Sequence, residues 1–140
     1  MLGLSNEKRL MEKLWEAAEA TLVLPEPEAK YFFEFKGPMP SGHFDNRRSY
    51  HRFYLRDKAI LTRNRTTLGV YTTDFSRQGI GFLSPRQLLP RERVQLILTS
   101  GVEYFLQVAR CRRRSENLFE CGGRFVVCPK HIEQANEETP

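Results

Sequence analysis

A mainly β chain, an antiparallel barrel or sandwich with one amphipathic helix at its amino terminus, is the fold class this sequence predicts. Three observations lead there. From residue 58 the apolar residues alternate over short runs, as in Val94, Leu96, Leu98 and again in Tyr104, Leu106, Val108, and period two marks a half-buried strand. The runs are separated by natural hairpin connections, Ser100-Gly101 and Ser115-Glu116-Asn117. No strong helical period interrupts them. At 140 residues the chain has the size of one domain with a short extension. That is enough for a core, since ~150 residues bury about 68–70% of the unfolded surface.

The elements follow in order. Residues 6–20 read as an amphipathic helix, with Ser5 placed to cap it and Glu7 in the first turn, where a carboxylate meets the positive end of the helix dipole. Leu10, Met11, Leu14, Trp15, Ala18 and Leu22 form one stripe, Lys13, Glu16 and Glu19 face away, and Pro25 and Pro27 stop the helix. A helix this short is marginal alone, so the stripe must pack, either on its own domain or on a partner. Tyr31–Phe35 reads as a short strand or a packed arm, and Gly37–Asn46 as a flexible loop. The strand candidates are Ala59–Thr62, Gly69–Thr73, Ile80–Leu83, Val94–Ser100, Glu103–Arg112 and Asn117–Val127. The expected organisation is a helix and flexible arm over 1–46, a barrel domain over 47–128 and an acidic tail over 129–140.

Charge divides along the same lines. Formal charge is −3 over residues 1–46, +10 over 47–128 and −2 over 129–140. Within the basic body every cation except Lys58 is an arginine, the side chain suited to two-pronged contacts with phosphate and to stacking on bases. A solvated arginine-rich surface or a polyanion or nucleotide partner would each account for it. Cys111, Cys121 and Cys128 form no CxxC and have no histidine at zinc-finger spacing, so they read as buried reduced thiols. No apolar run approaches the ~18 residues of a membrane span, and the charged start lacks a signal-peptide core. A cytoplasmic protein is expected.

Two motifs carry the chemistry. The first, Asn46-Arg47-Arg48-Ser49-Tyr50-His51-Arg52, contains R-x-x-x-R at Arg48 and Arg52, a spacing that Arg52/Arg56 and Arg110/Arg114 also satisfy. The second, Asp74-Phe75-Ser76-Arg77-Gln78-Gly79, reads D-x-S-x-x-G at a strand-to-strand turn. Asp74 and Ser76 project to one face of an extended segment, and Gly79 supplies the positive φ or the close backbone approach a turn requires. The plain alternative is an Asx-type turn bonded only to backbone. Taken together the motifs suit guanine: a guanidinium matches its O6 and N7 acceptors, and a carboxylate accepts from N1–H and the amino group on its other edge.

This combination resembles the PilZ domain, the bacterial receptor module for cyclic di-GMP. The order matches, R-x-x-x-R before D-x-S-x-x-G, and 22 residues separate Arg52 from Asp74. Gly79-Ile80-Gly81-Phe82 and Gly122-Gly123-Arg124-Phe125-Val126 resemble the family's continuation and closing strand. The resemblance spans about residues 47–128 and implies a six-stranded antiparallel β-barrel with cyclic di-GMP on its outer surface. By that resemblance Arg48 and Arg52 hold guanine and phosphate, Asp74 and Ser76 the other guanine edge, and Gly79 the turn. Arg47 either extends the cluster to a second, stacked ligand molecule or is a solvated neighbour. Arg110, Arg112, Arg113 and Arg114 read as a basic strand end that borders the same pocket at most.

A catalytic role is not expected: His43, His51 and His131 have no acidic or thiol partner at recognisable spacing, and there is no glycine-rich phosphate loop. No metal and no cofactor are expected beyond cyclic di-GMP as ligand. An adaptor of this kind acts through a protein effector that the sequence does not name. The competing readings are a basic barrel binding single-stranded nucleic acid, and a PilZ adaptor that ignores nucleotide. The first calls for aromatics alternating along an open sheet face, whereas here they interleave with core-like aliphatics. The intact motifs speak against the second.

Overall fold

The computed structural model describes residues 6–40 and 51–126, so Ser5, Arg47, Arg48, Cys128 and the acidic tail lie outside the described residues. The elements are α1 (Asn6–Ala17), α2 (Glu28–Tyr31) with a 3-10 turn over Phe32–Glu34, β1 (Phe53–Tyr54), β2 (Lys58–Arg63), β3 (Thr66–Phe75), β4 (Gly79–Ser84), β5 (Arg93–Leu98), β6 (Glu103–Ser115) and β7 (Leu118–Phe125). Strands β2 to β7 close into a six-stranded antiparallel barrel in the order β3-β2-β5-β6-β7-β4, with β4 pairing back onto β3. Closure leaves no long unpaired edge. The short β1 continues the β2 side of β3, Phe53 facing Phe75 and Tyr54 facing Asp74.

Every expected strand is present. Their ends differ where tertiary bonds decide. β5 stops at Leu98 because its carbonyl accepts Gly101 N–H at 2.9 Å, and Gly101 takes φ 89°, a turn conformation open to glycine. Alternation directs Leu61, Val70, Phe82, Leu96, Leu106 and Val108 into the barrel, where each is at most 1% exposed. Burial of such a side chain contributes ~1.5–3 kcal/mol.

The amino-terminal segment packs on the barrel's outside. Trp15 stacks on Tyr71 with centroids 6.0 Å apart, Met11 is buried, and Lys58 Nζ lies 5.0 Å from the Trp15 ring. Leu10, expected on the buried stripe, is 56% exposed: the contact is made by Met11 and Trp15 instead. The helix also ends at Ala17 rather than residue 20, because Glu19 leaves it to bond β3, its N–H to the Thr67 carbonyl at 3.0 Å and its carbonyl to Gly69 N–H at 2.9 Å. A second apolar cluster, Leu22, Leu24, Phe32, Leu83 and Leu118, seals the arm against β4 and β7. Of the two readings of Tyr31–Phe35, the packed arm is the one found. The segment coils into helical turns that bury Phe32 to 1% exposure, which an extended strand would leave on one side only.

Two irregularities in the ladder matter most. Thr73 is an extra residue in β3, between the pairs Thr72–Phe82 and Asp74–Gly81. Ala109 is an extra residue in β6, between Val108–Gly123 and Arg110–Gly122. A bulge of this kind resets the alternation and re-aims the side chains after it. Leu68, Val70 and Thr72 point inward, and unbroken alternation would send Asp74 after them; the bulge turns it outward, opposite Gly81. Likewise Val108 points in, and Arg110 points out.

Candidate functional site

Both bulges open onto one pocket of about 250 Å³ on the outer wall of the barrel. Its rim is Arg52, Asp74 and Ser76 on one side, Arg110 and Arg124 on the other. Its floor is the backbone of β4 and β7 at Gly79, Gly81, Gly122 and Gly123. The floor depends on missing side chains. A Cβ at Gly81 would sit 2.4 Å from Asp74 Oδ1, and one at Gly79 would sit 1.9 Å from the Gly123 carbonyl oxygen. Gly79 therefore serves close backbone approach, and of the two roles expected for it the positive φ is not the one used.

Arg52 Nη1 donates to Asp74 Oδ2 at 2.8 Å, joining the last arginine of the first motif to the first residue of the second. Thr73 Oγ1 donates to Asp74 Oδ1 at 2.6 Å. Asp74 is buried to 8% exposure, yet each carboxylate oxygen keeps a second lone pair for a ligand donor. Ser76 shapes the turn: its N–H donates to the Gly79 carbonyl at 2.9 Å and its Oγ accepts Gln78 N–H at 3.2 Å. The Gln78 carbonyl accepts Phe125 N–H at 2.8 Å and ties the turn to β7. Asp74, Ser76 and Gly79 are thus brought together with Arg52, as the motifs imply, whereas Arg47 and Arg48 lie outside the described residues.

Immediately beside the pocket, Arg56 Nε donates to the Thr73 carbonyl at 3.1 Å. Its guanidinium lies 4.4 Å from the Phe32 ring centroid, 5.1 Å from Phe35 and 5.2 Å from Tyr54. Burial among these rings pushes the Arg56 pKa below its usual value, partly offset by the charges of Tyr54, Glu28 and Asp74. The arm also bonds β1 directly, Met39 N–H to the Arg52 carbonyl at 2.9 Å and Tyr54 N–H to the Gly37 carbonyl at 2.8 Å. Beside Arg110, the buried Cys121 thiol donates to Cys111 Sγ at 3.3 Å, and burial pushes its pKa up.

Arg124, Gly81 and Gly122 are pocket residues that the motifs alone do not reveal. The signal for them is the Gly122-Gly123 pair inside a strand, where glycine marks a bulge or a close approach.

The chain is thus a closed antiparallel barrel with an open, glycine-floored pocket on its wall. Residues 46–137 match the family model of the PilZ domain, and the chain belongs to that family. No curated protein matches the chain at a significant level. PilZ domains are in general cyclic di-GMP-binding and adaptor domains. No helix among the described residues is long and apolar enough to cross a membrane.

Proposed function

We propose that this chain is a cyclic di-GMP receptor and adaptor that signals to a protein partner by rearranging its amino-terminal arm. The observation that carries the reading is the Arg52–Asp74 pair, which unites the two motifs at the edge of one pocket. Arg48 and Arg52 take guanine and phosphate oxygens, Asp74 and Ser76 take the donor edge of guanine, and Gly79 keeps the floor low enough for the base. Arg47 extends this cluster to a second, stacked ligand molecule. The role is binding, with no covalent step.

The route to the arm is short. A ligand that draws Arg52 from Asp74 moves β1, to which Gly37 and Met39 are hydrogen-bonded, and moves the Thr73 carbonyl that holds Arg56 among Phe32, Phe35 and Tyr54. Ordering a backbone residue costs ~1–2 kcal/mol, so a ligand that orders part of the arm must make contacts that differ strongly between the two arm positions. The rearranged arm presents its altered face to the effector.

Calorimetric titration of cyclic di-GMP into the full chain tests the reading. Saturable binding is expected, two molecules per chain falling toward one in Arg47→Ala. A one-to-one native complex removes the second-molecule role from Arg47, and absence of binding overturns the receptor reading.

A further inference from the structure

The pocket's far rim carries charge that neither motif explains. Arg63, Arg86, Arg112 and Arg114 are each paired with a glutamate, and Arg52 with Asp74. The side chains of Arg110 and Arg124 line the pocket and make no hydrogen bond or ion pair among the described residues. Their placement is built in. Arg110 faces outward only because of the bulge at Ala109, and its Nε lies 3.1 Å from where a Cβ of Gly122 would be, so its guanidinium crosses the glycine floor. Arg124 sits beside Gly79 in the ladder, directly across from the turn that ends the second motif.

Among the described lining residues Arg52 is paired with Asp74, which leaves Arg110 and Arg124 as two positive charges on the far rim. Two singly charged phosphodiesters match that pair; Arg47 and Arg48 lie outside the described residues and outside this count. Two guanidiniums held apart from a carboxylate that accepts from the base divide the labour: one rim reads guanine and the other holds phosphate. We propose that Arg110 and Arg124 form a phosphate-binding pair in this pocket and set its preference for a doubly charged, two-phosphate ligand. This rests on the cyclic di-GMP reading above for the identity of the ligand, but not for the chemistry of the pair.

The test has two arms on the full-length chain. In the first, cyclic di-GMP is titrated into the native protein, Arg52→Ala, Arg110→Ala and Arg124→Ala. A lost charge-assisted contact weakens affinity by about tenfold or more, and the same loss is expected for each rim arginine. The salt dependence of affinity becomes shallower in both rim variants, as it must when an ion contact is removed. Native-like affinity and salt slope in Arg110→Ala and Arg124→Ala, with Arg52→Ala impaired, overturn the rim pair and leave the receptor reading standing. In the second arm inorganic pyrophosphate, which has no base, is followed by amide shifts of Gly81, Gly122 and Gly123. Shifts that vanish in the Arg110→Ala/Arg124→Ala double variant support the pair even where cyclic di-GMP fails to bind. No shifts in the native chain, or unchanged shifts in the double variant, overturn it. Both side chains are exposed, so the variants are expected to keep the native melting temperature.

Discussion

The two ends of strands β4 and β7 share a ladder and behave as opposites. At one end stand Leu83 and Leu118, each 1% exposed under the arm. At the other stand Gly79, Gly81 and Gly122, which carry no side chain and form the floor of the pocket. The arginines of β6 follow the same division. Arg112 bonds Glu120 at 3.1 Å and Arg114 bonds Glu28 of the arm at 2.7 Å, both toward the sealed end. Arg110, toward the open end, has no such partner among the described residues. One pair of strands thus builds a dry joint at one end and an arginine-rimmed pocket at the other, and the difference lies in side-chain volume and in how the charges are paired.

The contrast can be broken from either end. The largest effect belongs to the sealed end. Phe32→Ala removes the fully buried aromatic ring of the described arm and is expected to cost ~3–5 kcal/mol in urea unfolding, while calorimetry finds only the much smaller change in cyclic di-GMP affinity that the arm's coupling to the site transmits. A matching loss of affinity would mean that the two ends are not separable.

Asp74→Ala comes next and reverses the pattern. Loss of a desolvated charged acceptor costs ~2 kcal/mol or more, so affinity should fall about 30-fold or more. Arg86→Ala, whose Glu19 partner lies outside the pocket, should leave affinity as it was. Equal affinities in the native chain and Asp74→Ala would remove the carboxylate from the site.

A smaller loss of about tenfold is expected from Gly81→Ala, whose added methyl carbon displaces the Asp74 carboxylate without removing its charge. Unchanged affinity would show that the glycine floor is not needed.

The weakest effect is on pH. Arg114, hydrogen-bonded to Glu28, holds that carboxyl below its ordinary 4.5, against the opposing pull of partial burial. A depressed carboxyl contributes stability that is present above the unfolded pKa and is lost as pH falls through the folded one. Arm docking should therefore weaken slightly as pH drops below about 4.5, by less than ~1 kcal/mol because the pair is partly solvated. Glu28→Gln should flatten that dependence, followed by hydrogen exchange of residues 28–34; a slope that persists would assign it elsewhere.

How much of this was legible in the sequence depends on range. The strands were, because alternation at Val94–Leu98 and Tyr104–Val108 is local and strong. Asp74, Ser76 and Gly79 were, because they lie within six residues of one another. β1 was not: Phe53–Tyr54 is two residues long and exists only by pairing with β3. The helical end at Ala17 was not either, since Glu19 is recruited by the β3 backbone, which no local propensity reports. The direction of Arg110 depends on an extra residue at Ala109, and a bulge leaves no signature in a run such as Val108–Arg114. Arg47 and Arg48, half of the first motif, stay beyond the described residues, so their part in the site remains a proposal from the motif.

Hydrogen exchange of the full chain with and without cyclic di-GMP tests the central claim most directly, because it locates the ligand and reads the arm together. Protection is expected over residues 74–82, 107–111 and 121–124 at the open end, with altered exchange over 28–40 where the arm meets β1 and Arg56. Exchange that is unchanged at the open end, or protection centred on Leu83 and Leu118 instead, would contradict it.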